Sequence, residues 1–171
     1  MKNSSYPKTY GRKRGKRKSY EALNYKKDIN NYLFNFKIVT NNLILDIGSG
    51  NGENSINLSK KYFNQLVIAC EVYVDGNISL IKKIKKNNSN NIKIYDKNCY
   101  ILLNNISRLS VDQVWILYPD PWPKKKHHKR KLISESFLSI LNCILKNNGK
   151  IYIATDNQNY FTDILNNFYY N

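Results

Sequence analysis

The residues best equipped for chemistry lie in one stretch, VDQVWILYPDPWPKKKHHKRK, residues 111–131. Its apolar start (Val114, Trp115, Ile116, Leu117) reads as a strand and breaks at Tyr118 into a proline-rich turn. Asp120 stands between Pro119 and Pro121; Trp122, Pro123 and an unbroken run of Lys, His and Arg over residues 124–131 follow. Proline fixes φ and removes a donor, so Asp120 is held on a stiff loop at a strand's carboxyl end. In open α/β sheets ligands bind at that edge. A fixed carboxylate, an indole and a dense positive run together suit a flat, polar base carried on an anionic backbone. Trp122 either stacks on such a base or packs over its own loop.

A second constellation is L-D-I-G-S-G-N-G, from Leu45 to Gly52. Gly48, Gly50 and Gly52 let the backbone turn tightly and approach a ligand closely. A dinucleotide site wants G-x-G-x-x-G, and its third glycine would fall at position 53. That position is Glu53, an acid at a helix start, which repels a pyrophosphate. Glu71 ends the next strand and is placed to accept ribose hydroxyls. After the third strand, Asn98 offers both a donor and an acceptor that suit an adenine edge, or it simply forms a turn.

These groups need a frame. Apolar runs at residues 43–47, 66–70, 92–95, 114–117 and 150–154 predict five strands. Helical segments are predicted over residues 53–62, through Ile78 to Ile84, over 100–106, along the stripe from Leu132 to Leu145, and over 160–169. Asn147, Asn148 and Gly149 are expected to end the fourth of these helices. Strict β-α alternation implies a doubly wound, mainly parallel α/β sheet. Ahead of it, residues 20–37 carry a weak helical stripe (Leu23, Ile29, Tyr32, Leu33, Phe36). Two units are expected: residues 1–40 as a basic arm plus helix, and residues 41–171 as the α/β domain.

The totals narrow the function further. A chain of 171 residues, 42% hydrophobic and 13% aromatic, suits one globular domain rather than a disordered one. The formal charge of +16 favours an anionic partner, nucleic acid before membrane. An AT-rich coding bias explains many lysines but not Arg12, Arg14, Arg17 and Arg130 inside the two densest basic runs. One of these is YGRKRGKRK, from Tyr10 to Lys18, which reads either as a solvated tail or as an arm along phosphates. Cys70, Cys99 and Cys143 are widely spaced and odd in number. No zinc site or pairing is implied, and all three are expected to be buried thiols in a reducing cytosol. No metal and no membrane segment is expected.

The G-x-G-x-G turn preceded by Asp46 resembles the first motif of S-adenosylmethionine-dependent methyltransferases. Y-P-D-P-W-P-K, the later A-T-D of Ala154 to Asp156, and the basic arm before the domain resemble, more narrowly, the tRNA (guanine-N7)-methyltransferase family. The resemblance covers residues 10–160 and departs from the family mildly at Tyr118, where Phe is usual, and at Asn98, where many members have Asp. It implies a cytoplasmic, Rossmann-like methyltransferase that makes 7-methylguanosine at variable-loop guanine 46 of tRNA. Implied cofactor contacts are Asp46, Gly48, Gly50, Glu71, Asn98 and Asp120, with S-adenosyl-L-methionine as cofactor. Asp120 is the implied catalytic acid, and Lys124 and Asp156 the implied RNA contacts. A monomer or weak oligomer is expected. The family continues into further strands and a T-x-x-E segment that this sequence does not include, so about five strands without an edge hairpin are expected. The alternatives that follow are an RNA-binding remnant without catalysis and a subunit that needs a partner.

Overall fold

The computed structural model describes Pro7, residues 25–36 and residues 42–169. Five strands, β1 (Leu43–Ile47), β2 (Leu66–Cys70), β3 (Ile92–Tyr95), β4 (Val111–Leu117) and β5 (Leu145–Ala154), form one sheet in the order β3-β2-β1-β4-β5. Every pairing is parallel. The helices between them are α1 (Glu53–Lys61), α2 (Val74–Asn87), α3 (Cys99–Asn105) and α4 (Glu135–Ile144), and α5 (Gln158–Tyr169) follows β5. This is the α/β, Rossmann-like sheet that the alternation predicts.

Side chains alternate across each strand, and the two faces build separate cores. Leu43, Leu45 and Ile47 of β1 join Ile68, Val114, Ile116, Leu102, Phe137, Leu141 and Tyr160 on the face covered by α3, α4 and α5. Ile44 joins Val67, Ala69, Ile56, Leu80, Ile81 and Ile84 on the face covered by α1 and α2. Asp46 shares that second face by the same alternation, a carboxylate turned toward α1. All five residues of β1 are buried, as the central strand of a doubly covered sheet should be.

Three sequence expectations are corrected. The stripe over residues 20–37 does not continue as one helix. After a 3-10 turn, Ile29–Asn31, the chain extends, and Leu33 bridges Ile94 on the outer edge of β3. Ile94 N–H donates to Tyr32 O and Phe34 N–H to Ile94 O, both at 2.8 Å, so free strand-edge groups outweigh a weak helical period. Next, Leu132 and Ile133 precede α4 rather than belonging to it, because Ser134 caps the helix by accepting from Phe137 N–H. Asn147, Asn148 and Gly149 lie inside β5, where the β4–β5 register slips between Val111 and Gln113. Finally, Cys143 is exposed while Cys70 and Cys99 are buried. A two-residue step from buried Leu141 turns an α-helix more than half way round, which carries Cys143 to solvent. The basic run from Tyr10 to Lys18 lies outside the described residues.

Candidate active site

All five strands run the same way, so the segments after Ile47, Cys70, Tyr95, Leu117 and Ala154 emerge at one edge. The order reverses between β1 and β4, and crevices for ligands open at such a switch point. A cavity of about 540 Å³ lies there, with walls that include Gly48, Gly50, Glu71, Tyr118, Asp120 and Arg130. Pro7, from the far N-terminal side of the sequence, lines it too.

The glycine turn forms one wall. Gly48, Gly50 and Gly52 have φ of 74°, 54° and 79°. A side chain at any of them would be strained. Gly48 N–H donates to Cys70 O at 2.8 Å, which ties the turn to the end of β2. Glu71 then grips the same turn. Its Oε2 accepts from Gly50 N–H at 3.0 Å and its Oε1 from Tyr73 N–H at 2.8 Å. Each carboxylate oxygen keeps a second lone pair for an incoming hydroxyl.

Asp46 is placed differently from a cavity-lining group. It is 2% exposed and lies under the turn. Its Oδ1 accepts from Asn54 Nδ2 at 3.0 Å and its Oδ2 from Ser55 Oγ at 2.5 Å. Burial raises its pKa above the ordinary carboxylate value, the two hydrogen bonds work against that rise, and Glu71 nearby adds to it. In this arrangement Asp46 locks α1 to the glycine turn.

Behind the turn stands α2. A Cβ at Gly76 would meet Gly50 O at 2.4 Å, so only glycine lets the helix approach this closely. Asn77, fully buried, donates from Nδ2 to Glu71 O at 2.8 Å. Lys83 of α2 donates to Asn51 O at 2.7 Å and pairs with Glu53 at 2.7 Å. Neither Gly76, Asn77 nor Lys83 belongs to a sequence motif. Gly76 and Lys83 meet partners 26 and 32 residues away and Asn77 one six residues away, and one sequence does not announce such contacts. The exception is a glycine near a helix start, which is a weak hint of close approach.

Asn98 sits on the rim. It caps α3, where its Oδ1 accepts from Tyr100 N–H at 2.9 Å. Its Nδ2 donates to Pro7 O at 2.7 Å, a contact across 91 positions of sequence. The cap is thus formed, as the turn-forming alternative requires, and the amide nitrogen also holds Pro7 against the cavity. Below it, Cys70 and Cys99 line the floor. Burial pushes both thiols up, Cys99 to about 12, so neither is an active nucleophile near neutral pH.

The opposite wall is the proline loop. Asp120 and Trp122 line the cavity, and the short 3-10 helix Lys125–Arg130 follows. The Arg130 guanidinium lies over the Trp122 ring, 5.0 Å from its centre, and His127 meets the indole edge-on at 5.7 Å. Desolvation, with Arg130 and Lys124 close by, lowers the His127 pKa below its ordinary value. Lys131 lines the cavity, pairs with Asp163 of α5, and lies over the Tyr160 ring at 5.5 Å. Lys124 and Asp156 are both exposed at the same edge and outside the cavity lining. Gly48, Gly50, Glu71 and Asp120 therefore meet around one space. Asp46 supports it from beneath, Asn98 borders it, and Lys124 and Asp156 stand on the surface around it. Among the described residues no cluster of His, Cys, Asp or Glu could hold a metal ion. No helix among them is long and apolar enough to cross a membrane.

The sheet order, the glycine turn at the end of β1 and the acid at the end of β2 define the Rossmann-like methyltransferase fold. Two solved structures share it. A precorrin-6y C5,15-methyltransferase from Geobacter metallireducens aligns with a TM-score of 0.61 at 17% identity, over 87% of this chain and 68% of that one. An O-methyltransferase from Thermotoga maritima aligns at 0.58 and 14% identity, over 93% and 52%. A family model described as "Putative methyltransferase" matches residues 40–171. A tRNA (guanine-N(7)-)-methyltransferase of Wolbachia pipientis wMel is 33% identical over 163 residues, 94% of this chain and 74% of the relative. That of Buchnera aphidicola is 38% identical over 149 residues, 84% and 61%. A bifunctional methyltransferase of Rickettsia prowazekii is 34% identical over 166 residues, which are 95% of this chain and 32% of the relative. The chain belongs to the tRNA (guanine-N(7)-)-methyltransferase family. It spans about a third of the Rickettsia relative and under two thirds of the Buchnera one.

Proposed function

We propose that this chain binds S-adenosyl-L-methionine in the cavity and methylates N7 of guanine in tRNA, at variable-loop position 46. The observation that carries the reading is the cavity itself, in a chain of this family. It has a glycine cradle and Glu71 on one wall, and a rigid carboxylate beside a basic run on the other. The residues present fit the cofactor. Gly48 and Gly50 leave room for close approach, Glu71 has lone pairs for ribose hydroxyls, and Asn98 borders the same space. When bound, S-adenosyl-L-methionine would supply a sulfonium methyl for the N7 lone pair, with the neutral thioether as leaving group.

N7 of neutral guanine has a free lone pair, so no strong base is required and the chain's task is positioning. Two prolines hold Asp120 still. There it accepts from guanine N1–H and N2–H or orients the cofactor's amine, and its charge stabilises the cationic product base. Asp46 and Gly76 keep the glycine turn in place from below and behind. Lys124 and its basic neighbours take phosphates, and Asp156 contacts the RNA beside them. We place this work in the cytoplasm, where tRNA is the partner, and assign residues 1–40 as the RNA-binding arm and residues 41–171 as the catalytic domain.

The test is transfer from labelled S-adenosylmethionine to unmodified tRNA, with the product nucleoside identified and its position mapped. Labelled 7-methylguanosine at position 46 supports the whole reading. Cofactor binding without transfer would favour a subunit that needs a partner, and RNA binding alone would favour a non-catalytic remnant.

A further inference from the structure

We infer that Tyr118, rather than Trp122, is the stacking platform for the target guanine, an inference that rests on the reaction proposed above. Three independent observations converge on it. First, Tyr118 has φ of +53° and Trp122 has +44°, so two large aromatic residues in left-handed backbone bracket Pro119, Asp120 and Pro121. For a bulky residue that conformation is a true outlier, and such outliers persist where surrounding structure enforces them, chiefly at ligand sites. Glycine or asparagine would take it with little strain, yet a phenol ring stands there. Tyr118 is fixed in it by β5, since its N–H donates to Ala154 O at 2.8 Å.

Second, Tyr118 lines the cavity beside Asp120 yet is 67% exposed. An apolar face of that size, left open at the rim of the crevice, matches what an extruded base needs. Third, Trp122 already has work within its own loop. Arg130 lies over its ring and His127 meets its edge, so the indole holds the basic helix to the cavity wall. A purine resting on Tyr118 would lie two residues from Asp120, and the carboxylate could then accept from the Watson–Crick edge. A pyrimidine offers no N1–H and N2–H pair and less ring to stack, so the pairing of phenol with carboxylate selects guanine.

The experiment uses the full chain and two RNA hairpins, identical except for a loop guanine in one and an abasic site in the other. Equilibrium binding is measured for the wild type and for Tyr118→Asn, Tyr118→Phe and Tyr118→Trp. Asparagine tolerates the backbone conformation, so loss of binding cannot be laid to a failed fold; a thermal melt verifies this. The wild type, Tyr118→Phe and Tyr118→Trp should prefer the guanine hairpin by about five- to a hundredfold, the range expected for one stacked base. Tyr118→Asn should lose that preference. A wild type with no preference, or a Tyr118→Asn variant that keeps it, overturns the inference. Labelled methyl transfer by the wild type, run alongside, reports on the reaction separately. Guanine preference without transfer would sink the proposed function and leave the platform standing, whereas transfer with an unchanged Tyr118→Asn would do the reverse.

Discussion

At the scale of single residues, two carboxylates of the motifs are placed differently. Asp46 is buried and hydrogen-bonded under the glycine turn, while Asp120 faces the cavity from a proline-locked loop. Asp120→Ala should abolish methyl transfer and leave binding of the abasic hairpin within about twofold, because its loop neighbours carry the positive charge. A transfer assay paired with a binding titration checks both halves. Asp46 makes a pH prediction. Its pKa is raised in the folded chain, so between the ordinary carboxylate value and the raised one the folded state holds more proton than the unfolded. Its contribution to stability is thus greatest below the ordinary value and falls as pH rises through the raised one. Asp46→Asn should flatten that fall, and urea unfolding from pH 4 to pH 8 on both proteins reads it directly. The site was legible at Asp120, Glu71 and the glycines because each belongs to a compact local pattern. Which aromatic ring is open was not legible, since Trp122 and Tyr118 differ only in what Arg130 and β5 do to them.

At the scale of elements, the site depends on how closely α2 approaches the glycine turn. Gly76→Ala would drive a Cβ against the backbone oxygen of Gly50, which no side-chain rotation relieves. Overpacking of this kind costs about 1–3 kcal/mol, and here the displaced atoms belong to the glycine turn that walls the cavity. Both the melting temperature and the affinity for S-adenosylmethionine should fall; a melt with and without cofactor, plus calorimetry, measures the pair. The strands and most helices were readable from periodicity, because a doubly covered parallel sheet needs continuous apolar runs between amphipathic helices. The failures have separate causes. Residues 32–34 join the edge of β3 because a partner distant in sequence offers hydrogen bonds that local preference does not encode, and residues 147–149 fall inside β5 where its register with β4 slips. Cys143 was misplaced for a simpler reason: an apolar neighbourhood in sequence spans both faces of a helix.

At the scale of the whole molecule, the formal charge of +16 is spread unevenly. One dense run passes over the cavity rim as the helix Lys125–Arg130, and the other follows soon after Pro7, which lines the same cavity. That second run, residues 10–18, lies outside the described residues. Deleting residues 10–18 should weaken tRNA binding severalfold at 0.1 M salt and flatten the dependence of log affinity on log salt, since each lost phosphate contact removes about 0.9 from the slope. A salt series with intact and shortened chains measures this, and an unchanged slope would retire the arm as an RNA contact.

The chain has two tryptophans, and the fold separates them. Trp115 is stacked on Tyr152 within the sheet, ring centres 4.0 Å apart, while Trp122 stands on the cavity wall under a guanidinium. Replacing Trp115 by phenylalanine leaves ultraviolet emission from a single indole at the mouth of the site. The protein thereby carries its own optical reporter, and the arrival of cofactor and of RNA becomes two events that stopped-flow fluorescence can time without any attached dye.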